Sequence, residues 1–360
     1  SLERIEEAKR IFDPNVLTLG FARRFAAYKR PTLLLHNPER LLRILINPKQ
    51  PVQLIIAGKA HPSDRSGQAL IEQWTHFIRR YEVGKHIVFL SDYDMMLTER
   101  LVQGVDVWLN TPRRPWEACG TSGMKALVNG SINLSELDGW WAEAYTPEVG
   151  WALGDGREHG DDPKWDNTEA ESLYTLLEQH VIPEFYKRDA NGIPTAWVMR
   201  MRESMARLTP HFSANRMVRE YTEQYYIPLA ATYLKRAADK GAAGAEIVNW
   251  RRTLEQYWSN LHFGEIKVQT EGELHRFEVQ VYLNGLDLDS VRVDLYANGV
   301  NGSDPVQLEM KRGKPLVGTM NGYVYSAQAP VTRPASDYTP RVVPYRSDTA
   351  VPLEAAQILI

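Results

Sequence analysis

The stretch EACGTSGMKALVNG, residues 117–130, places a lysine in the first turn of a helix predicted to begin at Ser122. The N-terminus of a helix offers free backbone N–H groups and the positive end of the helix dipole, so a phosphate binds well there. The same field disfavours an ammonium, so Lys125 would lose its proton more readily than a solvated lysine, as a Schiff-base lysine must. The alternative is a surface helix capped by Thr121 or Ser122, with Lys125 in water.

A basic loop in the segment GFARRFAAYKRP is a second group of side chains that could do chemistry. It follows the first predicted strand and carries four cations around one tyrosine: Arg23, Arg24, Tyr28, Lys29 and Arg30. Arginine can donate two parallel hydrogen bonds to one anion, so this loop is suited to binding phosphate oxygens. The alternative is a solvated surface loop, because clusters of charge usually lie on the surface.

Two further loops carry groups suited to a sugar. Tyr93, in the segment SDYD, would form an aromatic wall. The Glu117 carboxylate could accept hydrogen bonds from sugar hydroxyls, while backbone amides of the following turn donate to others. Three tryptophans could also stack on sugar rings, although most tryptophans lie in cores or interfaces. They are Trp140, Trp141 and Trp151.

Short apolar runs alternate with amphipathic stretches from residue 15 to residue 136. This alternation is typical of β-α units that feed a parallel sheet, so we predict a Rossmann-like α/β domain. The predicted strands are 15–22, 51–58, 86–92, 105–110 and 131–136. The predicted helices between them are 29–46, 66–82 and 94–104. Ligands of such sheets bind beyond the carboxyl ends of the strands, where the polar loops described above would lie.

The pattern changes twice toward the C-terminus. From about Thr168 it is helical, with a flexible break predicted in AADKGAAGAE, residues 237–246. From Phe263 onward apolar and polar residues alternate between Gly- and Asn-bearing turns, which predicts a small antiparallel β domain. We therefore predict two domains, an α/β domain with C-terminal helices over 1–262 and an all-β domain over 263–360.

The composition argues against several classes of protein. The chain has 360 residues and a net charge of -3, so it has no general basic surface for nucleic acid or membrane. Its one cysteine, Cys119, excludes an intramolecular disulfide framework and fits a reducing compartment. No apolar run is long enough to span a bilayer, and residues 1–13 are typical of a charged amphipathic helix rather than a signal peptide. We expect a cytoplasmic protein, and the missing initiator Met suggests a fragment.

The segments GFARRFAAYKRP, AGKAHP and EACGTSGMKALVNG together resemble the C-terminal half of α-glucan (glycogen, maltodextrin or starch) phosphorylases of the short prokaryotic type. The resemblance covers about residues 10 to 260, with the motifs in family order. It implies the C-terminal half of a GT-B type glycosyltransferase fold, with residues 1–262 as the cofactor-binding catalytic domain. It also implies that the lysine of the GTSGMK stretch holds pyridoxal 5'-phosphate, whose phosphate exchanges a proton with the substrate phosphate.

The same resemblance implies a role for each matching residue. Lys125 would be the pyridoxal lysine, with Thr121, the Ser122 amide and Arg23 on the cofactor phosphate. Arg24 would bind the substrate phosphate, and Lys29 would bridge the two anions. The remaining contacts are Tyr93 along the cofactor pocket and four groups on glucose hydroxyls: Tyr28, Glu117 and the backbone amides of Cys119 and Gly120.

The sequence departs from the family pattern in ways that affect the expected activity. Phe-Ala-Ala stands where the animal type has a His-Glu pair, and Asp94 stands where an arginine usually follows the tyrosine. The family's N-terminal half, with a glycine-rich loop over the phosphate and a sugar-contacting histidine, has no counterpart here. We therefore expect no phosphorolysis without that half, and a homodimer is possible for the intact enzyme. The substrates would be α-1,4-glucan and inorganic phosphate, and the product glucose 1-phosphate.

Two other functions remain open at this point. One is a cofactor-free nucleotide-sugar glycosyltransferase on the same architecture, whose basic loop would bind a diphosphate. The other is a non-catalytic glucan-binding module that uses the tryptophans and the β tail.

Overall fold

The computed structural model describes residues 11–300, 302–319 and 321–360. They belong to two compact units, the first ending at Arg219 and the second running from Glu220 to Ile360. The first ten residues of the amphipathic helix predicted over 1–13 lie outside the described residues.

The first unit is built on a six-stranded parallel sheet with the strand order β3-β2-β1-β4-β5-β6. The strands are β1 (Leu17–Ala22), β2 (Val52–Ala57), β3 (Ile87–Leu90), β4 (Val107–Asn110), β5 (Ile132–Glu136) and β6 (Gly150–Leu153). This is the order of a doubly wound Rossmann-like sheet, so the predicted fold class is confirmed. Every residue of β1, β4 and β5 is buried, as expected for parallel strands covered by helices on both faces.

Helices cover the two faces of this sheet and contribute to its core. The helices of residues 38–221 are α1 (Pro38–Leu45), α2 (Arg65–Arg80), α3 (Met95–Gly104), α4 (Thr121–Leu127), α5 (Trp140–Ala144), α6 (Pro163–Leu176), α7 (Ile182–Tyr186), α8 (Thr195–His211) and α9 (Ala214–Tyr221), with a π-helical turn at Leu177–Val181. Of these, α9 has no buried residue and does not contribute to the core. The main core joins the inner strands to Trp74 and Phe77 of α2 and to Tyr174 of α6.

The helix predicted over 29–46 is wrong in its first half. The chain instead forms short 3-10 turns at Ala27–Lys29 and Leu33–Leu35, and the helix proper is α1. Arg30 lies in the left-handed region (φ 44°) and Pro31 follows it, so a continuous helix cannot form here. The side chain of Asn37 accepts a hydrogen bond from the Arg40 amide at 3.0 Å and caps α1.

The three tryptophans considered for sugar stacking belong to the core. Trp140, Trp141 and Trp151 are 3%, 0% and 5% exposed, so none presents a ring face to a ligand. The predicted core role is therefore correct for each of them, and the sugar role is wrong.

The second unit combines a long helix with two antiparallel sheets. A π-helical turn at Thr222–Tyr226 leads into α10 (Ile227–Tyr257), which is broken by non-helical backbone at 238–241. The break predicted in residues 237–246 is thus confirmed in a narrower segment. The strands are β7 (His262–Glu271), β8 (Leu274–Tyr282), β9 (Val291–Ala297), β10 (Val306–Glu309), β11 (Lys311–Pro315), β12 (Gly322–Pro330) and β13 (Thr339–Pro344).

These strands form one sheet in the order β11-β12-β8-β7 and another in the order β10-β9-β13. Alternate residues of β8, such as Phe277, Val279 and Val281, point into the core, as the period of two predicts. The predicted antiparallel β region is confirmed. The core also takes in Ile247 and Trp250 of α10, which is why the compact units divide before this helix and not at the predicted 262/263 boundary.

Candidate functional site

The loops after β1 and β4 converge because these two strands are neighbours in the sheet. Strand order reverses at this point, with β2 on one side of β1 and β4 on the other, and such a switch point opens a crevice at the carboxyl edge. The loop after β1 is fixed further by backbone hydrogen bonds from Arg23 to Ala57 and from Phe25 to Lys59. Gly58 permits this approach, since a Cβ there would lie 2.1 Å from the carbonyl oxygen of Arg23.

Three of the predicted site residues meet at one carboxylate. Arg23 donates from a terminal guanidinium nitrogen to Oε2 of Glu117 at 3.1 Å, and the Lys29 ammonium pairs with the same oxygen. The exposed fractions of the three side chains are 7%, 12% and 11%, so this cation pair is largely withdrawn from water. The basic loop is therefore not a solvated surface loop at these two positions, whereas Arg24 is exposed.

The electrostatics of this cluster favour an anion. Burial lowers the pKa of Arg23, and the charge and hydrogen bond of Glu117 offset this effect. Nε of Arg23 is buried and has no hydrogen-bond partner among the described residues. One donor of a buried guanidinium is therefore left for a ligand oxygen.

Both predicted site tyrosines border the cluster. The ammonium of Lys29 lies 4.7 Å from the centre of the Tyr28 ring, in cation–π contact. Tyr93 donates its hydroxyl hydrogen to the carbonyl of Ala22 at 3.4 Å, directly before Arg23 in the chain.

Helix α4 begins at Thr121 rather than at Ser122, because Gly120 occupies the N-cap position with a left-handed backbone (φ +88°). The hydroxyl oxygen of Ser122 accepts a hydrogen bond from Nε1 of Trp108 at 3.2 Å. Gly123 lies so close to β5 and α5 that a Cβ would be 2.5 Å from Oδ1 of Asn133. The absence of a side chain at Gly123 thus allows α4 to pack closely against the sheet.

The structure does not join every predicted residue to this cluster. Arg24, Cys119, Thr121 and Lys125 are exposed, and their side chains have no hydrogen bond or ion pair with any described residue. Arg24 lies in the loop after β1, Cys119 lies in the loop after β4, and Thr121 and Lys125 lie on α4, which follows that second loop. Their assigned roles remain predictions.

Two supports of the site were missed by sequence reasoning. Oδ2 of Asp138 accepts the backbone hydrogen bond of Glu117 at 2.8 Å and so orients the residue that pairs with the cations. Gly139 follows with φ +54°, and a Cβ there would lie 2.5 Å from the carbonyl oxygen of Cys119. The Asp-Gly pair after the predicted strand 131–136 was the available signal. The second support is Arg30, which was expected among the phosphate-binding cations of the basic loop but is buried and paired with carboxylates instead.

Comparison with known proteins identifies the family. The family model for carbohydrate phosphorylases matches residues 4–150. A glycogen phosphorylase of Mycobacterium tuberculosis (strain CDC 1551 / Oshkosh) is 41% identical over 343 residues, which are 92% of this chain and 40% of the relative. The chain belongs to the carbohydrate phosphorylase family. The phosphorylase motifs of the basic loop and the GTSGMK helix lie within the matched region.

Other relatives agree with this assignment. A maltodextrin phosphorylase of Thermococcus litoralis is 39% identical over 95% of this chain and 41% of its own length. A glycogen phosphorylase of Aquifex aeolicus is 48% identical over 59% of this chain and 30% of its own length. The chain therefore spans about two fifths of the length of the M. tuberculosis and T. litoralis relatives. Among solved structures, a sucrose-phosphate synthase from Thermosynechococcus elongatus has a TM-score of 0.45 at 15% identity, covering 62% of this chain and 48% of its own.

Two further properties concern the described residues alone. None of their helices is both long enough and apolar enough to cross a membrane. Their His, Cys, Asp and Glu side chains form no group of three or more that could hold a metal ion.

Proposed function

We propose that this chain is the C-terminal, pyridoxal-phosphate-bearing part of an α-1,4-glucan phosphorylase. The enzyme would cleave the glucan with inorganic phosphate, retain the anomeric configuration and release glucose 1-phosphate. The observation that carries the proposal is the pair of cations, Arg23 and Lys29, gathered on one oxygen of Glu117. Such a buried, donor-rich pair is suited to phosphate oxygens.

The residues present fit the phosphate group of pyridoxal 5'-phosphate. Arg23 offers a buried Nε–H without a partner among the described residues. The left-handed Gly120 turns the chain so that the first amides of α4 face outward from the helix. The residues that would hold the cofactor are Lys125 through a covalent bond, Thr121, the Ser122 amide, Arg23 and Lys29 on its phosphate, and Tyr93 along its wall. When bound, the cofactor supplies a phosphate that exchanges a proton with the substrate phosphate.

The cations reduce the repulsion between the two phosphate groups that this chemistry brings together. Two unit charges 4 Å apart repel by roughly 4 kcal/mol at an effective dielectric constant near 20. Arg23 and Lys29 offset this repulsion, and Arg24 would hold the incoming substrate phosphate. The substrate phosphate can then protonate the glycosidic oxygen while positive charge at the anomeric carbon is stabilised by the paired anions.

Glu117 has a second task in this proposal. In the described structure it pairs with both Arg23 and Lys29. Once those cations bind phosphate oxygens, its carboxylate becomes free to accept hydrogen bonds from glucose hydroxyls. Tyr28 and the backbone amides of Cys119 and Gly120 would complete the glucose contacts.

Cofactor trapping tests the proposal. The chain is incubated with pyridoxal 5'-phosphate, reduced with borohydride and mapped by peptide mass spectrometry. We expect the label on Lys125, its loss in Lys125→Ala and its retention in Lys164→Ala, a control at an exposed lysine of α6. A chain that takes no label at Lys125 but binds a nucleotide sugar would contradict the proposal and favour the glycosyltransferase alternative. The cytoplasmic location and a homodimer of the complete enzyme remain predictions.

A further inference from the structure

The side chain of Arg30 is the most highly bonded group beside the site, and the proposed function gives it no role. It follows Lys29 directly, but its guanidinium is 5% exposed and points away from the cluster with Glu117. All five of its N–H groups have acceptors. These are the carbonyls of Thr111 at 3.0 Å and Pro112 at 2.8 Å, and the carboxylates of Glu136 at 3.0 Å, Asp166 at 3.1 Å and Glu169.

These acceptors come from different parts of the sheet edge. Thr111 and Pro112 follow β4, Glu136 ends β5, and the other two lie on α6. The loop after β4 also holds the basic loop in return, since the Arg113 amide donates to the Tyr28 carbonyl at 2.6 Å. The Thr111 hydroxyl lies 3.1 Å from the carbonyl oxygens of both Lys29 and Arg30. One guanidinium therefore joins the two loops that carry Lys29 and Glu117.

The backbone of Arg30 is shaped for this task. Its left-handed conformation (φ 44°, ψ 52°) is unusual for a residue with a side chain, and such conformations persist where the surroundings impose them. The turn sends neighbouring side chains in different directions. Lys29 reaches Glu117, whereas Arg30 reaches the buried carboxylates of Glu136 and Glu169.

Two of the carboxyl groups around Arg30 are buried, and one of them, Glu136, carries a proton at neutral pH. Glu136 and Glu169 are each 2% exposed, and Asp166 also pairs with Arg113 at 2.7 Å. Burial, followed by the charge of Glu169, raises the pKa of Glu136 to about 9 against the opposing effect of Arg30. Oε1 of Glu169 is buried without a partner among the described residues and can accept the Glu136 proton. At neutral pH the carboxyl of Glu136 therefore keeps its proton.

We propose that Arg30 is a positioning residue for the phosphate-binding site, holding Lys29 at the correct distance from Glu117 and Arg23 through its bonds to the β4 loop and to Glu169. The proposal rests on the proposed function, because it assumes that Lys29 binds a phosphate. Arg30 itself touches neither substrate nor cofactor.

The test measures binding of inorganic phosphate to the full chain by calorimetry, at a temperature where every variant is folded. Lys29→Ala first establishes which part of the binding belongs to this site. Arg30→Lys keeps the charge but cannot fill five acceptors. We expect it to weaken the Lys29-dependent binding at least tenfold. Glu169→Gln, which replaces a carboxyl partner of Arg30 by an amide, should weaken this binding in the same direction. It serves as the test if Arg30→Lys does not fold.

Arg40→Lys is the matched control. Arg40 also pairs with two carboxylates of the same region, Glu171 and Glu178, but it lies on α1 away from the cluster. If Arg30 has only a structural role, Arg30→Lys will have a lower melting temperature, but its phosphate affinity when folded will equal that of Arg40→Lys. This result would overturn the inference. Trapping on Lys125 would then still support the proposed function. Absence of any Lys29-dependent phosphate binding in the unmodified chain would also overturn the inference, whereas the proposed function is decided by trapping on Lys125.

Discussion

At the scale of single residues, the site depends on which cation meets which anion. Arg23 and Arg24 are adjacent in sequence, yet one is buried on Glu117 and the other is exposed. Both residues lie just beyond the end of β1, where the chain bends at Arg23. Their different environments support the different roles proposed for them, the cofactor phosphate for Arg23 and the substrate phosphate for Arg24.

Arg24→Ala should therefore raise the KM for inorganic phosphate while pyridoxal phosphate stays bound. A charge-assisted hydrogen bond contributes about 1.5–3 kcal/mol, which corresponds to roughly a tenfold to hundredfold change. The measurement is phosphorolysis by the chain together with the remainder of the enzyme, with cofactor content read from absorbance. Arg79→Ala, at an exposed arginine of α2, is the control. An equal loss of cofactor would mean that the roles of Arg23 and Arg24 are exchanged.

Glu136→Gln should alter the pH dependence of stability. Burial and the charge of Glu169 raise the pKa of Glu136 from 4.5 to about 9, with Arg30 opposing. The folded chain therefore holds a proton that the unfolded chain releases, so this contribution is complete below pH 4.5 and is lost as pH rises toward 9. Glutamine cannot ionise and can donate to Oε1 of Glu169. We expect its melting temperature to exceed that of the unmodified chain by an amount that grows to a few degrees between pH 5 and 9. Parallel melting curves across this range would contradict the assignment.

At the scale of secondary structure, the lysine is placed by how closely α4 approaches its neighbours. Gly123 faces Asn133 of β5 and Trp140 of α5, with no room for a side chain between them. The Asn133 side chain donates to the Gly123 carbonyl at 3.1 Å. Because Gly123 has no Cβ, α4 can approach the sheet this closely, and this approach determines the position of Lys125.

Gly123→Ala should therefore weaken both folding and cofactor binding. The added Cβ would lie 2.5 Å from Oδ1 of Asn133 and 3.0 Å from Nε1 of Trp140. Overpacking of this kind costs about 1–3 kcal/mol. Urea unfolding and retention of pyridoxal phosphate are the measurements. Gly104→Ala, at the open C-terminal end of α3, should leave both unchanged or slightly raise stability. A Gly123→Ala variant that behaves like this control would show that α4 can shift without consequence.

At the scale of the whole molecule, each compact unit has a main apolar core of its own among the described residues. One lies within the six-stranded sheet and its helices, and the other within the antiparallel sheets and α10. The chain covers 40% of the M. tuberculosis phosphorylase, so 60% of that protein has no counterpart in it. We therefore expect the chain to fold without the rest of the enzyme but not to catalyse the reaction alone.

We predict that the isolated chain folds and takes up some pyridoxal phosphate but does not phosphorolyse maltodextrin. The exposed Arg24 and Lys125 face water, where electrostatic stabilisation of a transition state is weak. Addition of the N-terminal part of a related phosphorylase should restore some glucose 1-phosphate production, which an enzymatic assay measures directly. Robust production by the chain alone would refute this prediction and would mean that its own residues replace the glycine loop and the histidine.

Much of the fold followed from the sequence because its signals are local. The spacing of apolar residues, which depends on near neighbours, indicates the first five strands of the parallel sheet and the antiparallel tail. The sixth strand, β6, was not predicted. The basic loop and the GTSGMK helix were also predicted at the carboxyl edge, since strand direction fixes which loops lie there. The helix predicted over 29–46 was wrong because spacing alone outweighed Pro31 and missed the left-handed Arg30.

The tertiary structure alone decided which charges meet. Arg23 and Lys29 lie 94 and 88 residues from Glu117, and Arg30 lies 106 and 139 residues from Glu136 and Glu169. No local pattern encodes such pairs, because they form only after the sheet has brought separate loops to one edge. The burial of Trp140 and Trp141 and the assignment of α10 to the second unit were undetermined for the same reason. The sequence by itself determined the elements and the family motifs, and long-range packing determined which side chains remain available to a ligand.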